Sequence, residues 1–292
     1  GEGAEYAGMG QELYASHSVF RATLDQCGEQ LKPELEHPLL DVMFDRNDLG
    51  HLLSDARYAH LALFAFEVAL AQLWLSWGVT PVSITGYGVG QYSAGCVAKV
   101  FTLKEGLKLV LFRARLIELL PLTTKLPLTS VSELQRNDSV EDHLPGIQSL
   151  LSEFSEIANK IKYATPVIKI VEMTEFEGDP LTPEYWVQHT FTSINLTHGF
   201  GSLVVSKTHV FLEVGPQSTI TERAKQWAKE ENSDISCIAS LSRDQNNWNS
   251  IYQALGLLYA ENVAIQWSQV DNSTNRKKHV IPTYSLDRKS VV

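Results

Sequence analysis

Thr85-Gly86-Tyr87-Gly88-Val89-Gly90-Gln91-Tyr92-Ser93-Ala94-Gly95 follows a short apolar strand and runs directly into a helix of small residues. This is the layout of a nucleophile elbow, Gly-x-Ser-x-Gly. In that motif the outer glycines let strand and helix approach closely, and the central Ser sits on a strained turn with its Oγ exposed. Gly86 and Gly90 hold the outer places, but the centre is Gly88. With no side-chain oxygen there, no acyl ester can form at that position. A Gly-rich strand-to-helix turn of no chemical consequence reads the same way in isolation, so the flanking chain decides.

Working outward, Val79 to Thr85 reads as the strand feeding the turn and Gln91 to Val100 as the helix behind it. Upstream, the run from Ala59 to Trp77 is apolar nearly all round, the sign of a helix packed inside a large domain, with Gly78 as its stop. Glu12 to Leu31 reads as an amphipathic helix ended by Pro33, and Pro38 to Asp55 as a mixed connection. Downstream, Thr102-Leu103-Lys104-Glu105 is a capping box opening a helix that carries Arg113 and Arg115 and ends at Pro121. Thr123 to Leu144 lacks periodicity and is expected to be one long connection, unusual in a compact domain. Leu150 to Lys162 reads as a helix, Val167 to Val171 as a strand, and Pro180 to His189 as a turn. His209 to Val214 and Ser236 to Leu241 read as strands, with a helix through Trp227 between them and another from Trp248 to Ala260. Strands alternating with helices predict an α/β fold, a parallel sheet flanked by helices on both faces.

Composition narrows the classes of function. The chain has 292 residues, 44% of them apolar, enough for a sizeable core, and a net charge of −10. Its Lys and Arg residues are scattered, so no basic stripe for nucleic acid and no polybasic patch for an anionic membrane is expected. Cys27, Cys96 and Cys237 are far apart and lack zinc-type spacing, which predicts reduced thiols in a cytoplasmic chain and no metal site. The run from Leu61 to Leu75 is the most apolar, but Glu67 and Gln72 interrupt it. The N-terminus, Gly-Glu-Gly-Ala-Glu, is acidic and unlike a signal peptide. A glycine pair with no strand ahead of it is expected to mark a fragment of a longer polypeptide.

Taken together, these stretches resemble the acyltransferase domain of modular type I polyketide synthases, the malonyl-CoA:acyl carrier protein transacylase family. Gly1-Glu2-Gly3-Ala4-Glu5 and Gly8-Met9-Gly10-Gln11-Glu12-Leu13-Tyr14 resemble that family's opening GQGAQ and GMG.ELY. Ala62-Leu63-Phe64-Ala65 with Glu67 resembles its PALFA.E helix, and the elbow resembles GHSxGEYsA. The segments RARLIELLP, YWVQH and PTYSLDR are similar to RGRLM…LP, YWVxH and PTYPFQR, and FLEVGP is identical to a family signature. The order of these matches along nearly the whole chain carries the resemblance. It divides the chain into an acyltransferase-like α/β domain over 1–265 and a post-acyltransferase linker over 266–292.

The resemblance implies ping-pong acyl transfer, with no bound cofactor and with acyl-CoA and the phosphopantetheine of a carrier protein as substrates. An elbow Ser attacks the thioester, a His takes its proton and two backbone N–H groups hold the oxyanion. Residue by residue, the Ser place is Gly88 and the His before it is Tyr87. The oxyanion donors are the N–H groups of Val89 and Glu2. Arg113 takes the place that pairs bidentately with a substrate carboxylate. His143 is the candidate base, carried over through His143-Leu144-Pro145 and Phe154. The family's small ferredoxin-like subdomain is largely deleted, leaving 122–144 as its remnant. His60 stands in the cleft where the family has Gln, and Phe191 where it has Arg.

These departures predict an inactive acyltransferase domain kept as a scaffold or docking element. Its partners would be a neighbouring ketosynthase and other domains of the same synthase, an acyl carrier protein or a separate transacylase. The alternatives are a serine-independent decarboxylase or hydrolase of acyl thioesters using Arg113 and His143, a residual transacylase, or a plain α/β hydrolase. Ser93 and Cys96 lie on the elbow helix, too far along it for their side chains to reach the oxyanion donors.

Overall fold

The fold is built around one helix, α4 (Ala56–Ser76), whose residues from Tyr58 to Ala71 are all buried. By length and composition α4 could cross a membrane, but it is wrapped by protein along 83% of its most apolar window. The computed structural model describes residues 3–120, 144–173, 178–192, 195–205 and 209–271. Ahead of α4 lie α1 (Gln11–Ser16), α2 (Ser18–Leu31) and α3 (Leu39–Met43). The sequence predicts a single helix across the first two. His17 breaks it, with φ −119° and ψ 121°, and its extended backbone turns α2 onto α4.

Asp55 caps α4: its Oδ1 accepts from the Arg57 N–H at 2.8 Å, and the Arg57 guanidinium also reaches Glu118 at 3.1 Å. Burial pushes the Asp55 carboxyl up, but hydrogen bonds from Arg57 and Glu118 outweigh it and bring it down to about 2. A carboxyl depressed on folding stabilises above its unfolded value and loses that contribution as pH falls through the folded one. Asp55→Ala is therefore expected to cost about 1 kcal/mol at pH 7. The difference should shrink between about pH 4 and pH 2, which denaturant titrations at several pH values would check.

Past Gly78, which ends α4 at φ 81°, come β1 (Ser83–Ile84), α5 (Val89–Val97) and α6 (Leu103–Leu119). The capping box of α6 forms as the sequence predicts: Thr102 Oγ1 accepts from the Glu105 N–H, and Glu105 Oε2 accepts from the Thr102 N–H. Both α5 and α6 pack on α4. Then α7 (Leu144–Asn159) packs on α6, beginning earlier than the expected Leu150, since Pro145 is tolerated in a first helical turn. The connection expected over Thr123 to Leu144 lies outside the described residues up to position 143.

The C-terminal half contains β2 (Lys169–Ile170), α8 (Pro183–Gln188), α9 (Leu196–Val205), β3 (Val210–Glu213) and α10 (Thr219–Glu230). After these come β4 (Ser236–Ala239), α11 (Asn247–Ala260) and α12 (Trp267–Asp271). Two elements correct the sequence reading. The stretch Pro180 to His189 is not only a turn, because Pro183 opens a helix that buries Tyr185, Trp186 and Val187. The helix α9 has no counterpart in that reading.

The strands are parallel, as predicted, but they form two separate pairs, β1 with β2 and β3 with β4. The strand expected over Val79 to Thr85 is regular only at Ser83 and Ile84. In β3, Glu213 turns its carboxylate onto the start of α10, accepting from the N–H groups of Ile220 at 2.8 Å and Thr221 at 2.7 Å. An anion at those leading amides and the positive end of the helix explains why a Glu sits inside the apolar segment FLEVGP. The expected boundary at 265/266 falls where Gln266 N–H donates to the Trp77 carbonyl at 2.7 Å, so the chain stays on the domain into α12.

Candidate functional site

Gly88 is the residue ahead of α5 and takes φ 53° and ψ −124°, a conformation open to glycine and strained for any residue with a side chain. The turn winds tightly: Gly90 N–H donates to the Tyr87 carbonyl at 2.8 Å and Gln91 N–H to the Gly88 carbonyl at 3.3 Å. Val89 supplies the first amide of the helix, one of those with no intrahelical carbonyl to bond, as an oxyanion donor requires. The elbow backbone expected from sequence is thus present, and at its apex there is only hydrogen. Tyr87 is half-buried and lines a cavity beside the turn.

Gln91, fully buried, ties this turn to the rest of the domain. Its Oε1 accepts from the Gly86 N–H at 3.0 Å, and its Nε2 donates to Glu172 at 2.8 Å and to the Tyr185 hydroxyl at 2.7 Å. The Tyr185 hydroxyl in turn donates to the same Glu172 oxygen. Burial, then the neighbouring carboxylate, push the Tyr185 phenol well above its usual range, so it stays a donor. Sequence reasoning missed this network. Its only local sign is one amide in an otherwise apolar and small-residue helix, and its partners lie 81 and 94 residues away.

Arg113, on α6, is 4% exposed, and its Nη1 donates to His60 Nδ1 at 3.2 Å. Its guanidinium lies 5.9 Å from the centre of the Tyr92 ring, and Tyr92 stands one turn into α5. The structure therefore brings Arg113, His60 and the elbow helix together. Phe191 is fully buried in the short turn His189–Phe191, where it is part of the core. Glu2 and His143 lie outside the described residues.

Two further groups on α5 carry potential nucleophiles. Ser93 Oγ donates to the buried Glu67 carboxylate at 2.6 Å, and burial pushes the Cys96 thiol up to about 12. A thiol in that range is almost wholly protonated at neutral pH and makes a poor nucleophile. Among the described residues no cluster of three or more His, Cys, Asp and Glu side chains is placed to hold a metal ion.

Residues 1–124 match the family described as "Acyl transferase domain". The spectinabilin polyketide synthase system protein NorB of Streptomyces orinoci is 24% identical over 349 residues, spanning 99% of this chain and 16% of that protein. The PKS-NRPS hybrid synthetase acdB of Aspergillus candidus is 27% identical over 347 residues, spanning 100% of this chain and 14% of that protein. The chain thus spans about one sixth of the length of these relatives. Both alignments are longer than the chain's 292 residues, so the matched regions of the relatives hold segments that this chain lacks. Among solved structures, the acyltransferase domain of ZmaA superimposes with a TM-score of 0.78 at 22% identity. That match covers 97% of this chain and 78% of that one. Over nearly its whole length the chain is thus similar to polyketide synthase proteins and has the fold of their acyltransferase domains, and the acyl transferase family itself is matched over residues 1–124.

Proposed function

We propose that this acyltransferase domain forms no acyl-enzyme and serves its synthase as a scaffold or docking element. One observation carries the reading: the elbow keeps its sharp turn, with Gly88 at φ 53° and ψ −124°, while the atom that would attack a thioester is absent. Neither nucleophile on the elbow helix replaces it. Ser93 is bonded to Glu67, and the Cys96 thiol is held protonated by burial. Arg113, the expected carboxylate binder, is buried against His60 and Tyr92, which supports a structural role for its charge. The long relatives are multidomain synthases, so the partners proposed for this domain are a neighbouring ketosynthase, other domains of the synthase and a carrier protein.

Intact-protein mass spectrometry after incubation with malonyl-CoA, methylmalonyl-CoA and acetyl-CoA tests the reading. The expected result is an unshifted mass and no hydrolysed or decarboxylated product. An acyl adduct on the native chain, or turnover without an adduct, would sink the proposal. Gly88→Ser is the comparator, expected to lose about 1–3 kcal/mol of stability to backbone strain. If it acquires an adduct, the loss of chemistry is located at that one residue.

A further inference from the structure

An aromatic ladder joins the end of α4 to the start of α11. Trp74 and Trp77 meet edge to face with ring centres 5.5 Å apart, Trp77 lies 6.3 Å from Trp248, and Trp248 stacks on Tyr252 at 5.4 Å. His17 is inserted into it. Its ring stands edge-on to Trp77 at 5.5 Å and tilted to Trp248 at 6.3 Å, and the residue is 4% exposed. Nδ1 of His17 and Nε1 of Trp77 are buried there without a hydrogen-bond partner among the described residues. The extended backbone of His17 is the link between α1 and α2, so its seating fixes where α1 lies. In turn α1 holds the start of α11. Glu12 accepts from the Asn247 N–H at 3.1 Å and from Asn246 Nδ2 at 2.6 Å, and Trp248 Nε1 donates to Ser16 Oγ at 2.9 Å.

We propose that His17 is a proton-operated latch: neutral, it locks α1 onto α11, and protonation on acidification unseats it and opens that seam. A charge on this ring would sit among indoles, away from water, and its Nδ1–H would be a donor with no acceptor in place. Burial accordingly holds the imidazole below its ordinary value. Attraction between a cation and an indole face offsets only part of that cost. Once His17 leaves its place, the three hydrogen bonds between α1 and α11 lose the link that positions them.

Among the described residues no charge compensates for a proton on His17. On α1, Glu12 is committed to the start of α11. On α2, Arg21 donates to the carbonyls of Tyr14 and Ala15, adding positive charge beside the link, and Asp25 accepts from the Tyr14 hydroxyl at 2.6 Å. The last two turns of α4 and the whole of α11 carry no charged side chain, Tyr252 and Tyr259 being the titratable groups of α11. Gln266, whose N–H is bonded to the Trp77 carbonyl, is neutral. Desolvation therefore acts alone on His17. A histidine kept neutral by folding binds its proton more tightly in the unfolded chain. Its contribution to stability is complete above the unfolded value, about 6.5, and is lost as pH falls below it. Carboxylates titrate about two units lower, so the opening is separable from general acid denaturation.

The test compares the native chain with His17→Phe, which keeps an aromatic ring at that place and cannot titrate. Denaturant titrations from about pH 7.5 to about pH 5 are expected to show the unfolding constant of the native chain rising relative to that of the variant, by up to about tenfold per pH unit below about 6.5. Hydrogen exchange, corrected for the pH dependence of the intrinsic rate, is read by mass spectrometry over residues 11–17 and 246–249. In the native chain both segments should exchange faster at the acid end before the rest of the domain does, and in His17→Phe neither should. Stability profiles that run parallel would overturn the proposal. So would an acid loss of stability without early exchange at these two segments. Should His17→Phe fail to fold, His17→Gln takes its place, and the native chain alone still decides: equal protection of both segments at the two ends of the pH range would overturn the latch.

Discussion

Gly86→Ala is expected to disrupt the elbow and cost about 3 kcal/mol or more, the upper range for forcing atoms into packed space. A Cβ there would lie 2.1 Å from the backbone carbon and oxygen of Gly90 and 2.4 Å from the nitrogen of Gln91. Backbone cannot step aside as a flexible side chain can, so β1 and α5 would have to separate. Gly90→Ala is the matched control. Its Cβ would come no nearer than 3.8 Å to Glu67 Oε2, an ordinary contact, and alanine favours a helix by about 1 kcal/mol over glycine. Urea denaturation of the two variants should separate them widely. Equal stabilities would show that the strand and helix do not meet as closely as this turn requires.

The second large effect is expected at Gln91. Gln91→Leu keeps the volume and removes three hydrogen bonds from a fully buried place: one to the Gly86 N–H, one to Glu172 and one to Tyr185. Leaving a buried donor and part of a carboxylate without this partner should cost about 3 kcal/mol. The loss should be local first, so exchange of the Gly86 amide ought to accelerate before the global transition moves. A variant with unchanged stability and unchanged exchange at Gly86 would mean that the network does not hold the elbow. This measurement bears on the proposed function as well, because a scaffold would need its turn intact even without chemistry at Gly88.

Much of the architecture is legible in the chain. The apolar helix through residues 59–77, the capping box at Thr102 and the strand-turn-helix around Gly88 depend on neighbours a few residues apart, and local periodicity reports such relations. The short helix Pro183–Gln188 reads as a turn because six residues hold too little periodicity to declare themselves. The strand ahead of the elbow reads longer than it is, since apolar residues mark a tendency to extend while regular pairing requires an adjacent strand. Among candidate site residues, Gly88, Tyr87, Val89, Arg113 and His60 are proposed from sequence pattern and family resemblance. Gln91, Glu172 and Tyr185 are not, because their meeting depends on how distant elements pack.

The sequence by itself determined the class of fold and the absence of a side-chain oxygen at residue 88, for a glycine carries none whatever surrounds it. Only the tertiary structure decided that the two flanking glycines are unequal, Gly86 pressed on backbone and Gly90 facing open contact. It alone set Arg113 against His60 and left two parallel strand pairs facing one another across a cavity. The physical reason is common to these cases. Conformational preference and chemical identity belong to single residues and their near neighbours, whereas free space, burial and pairing are fixed by segments far apart in the chain.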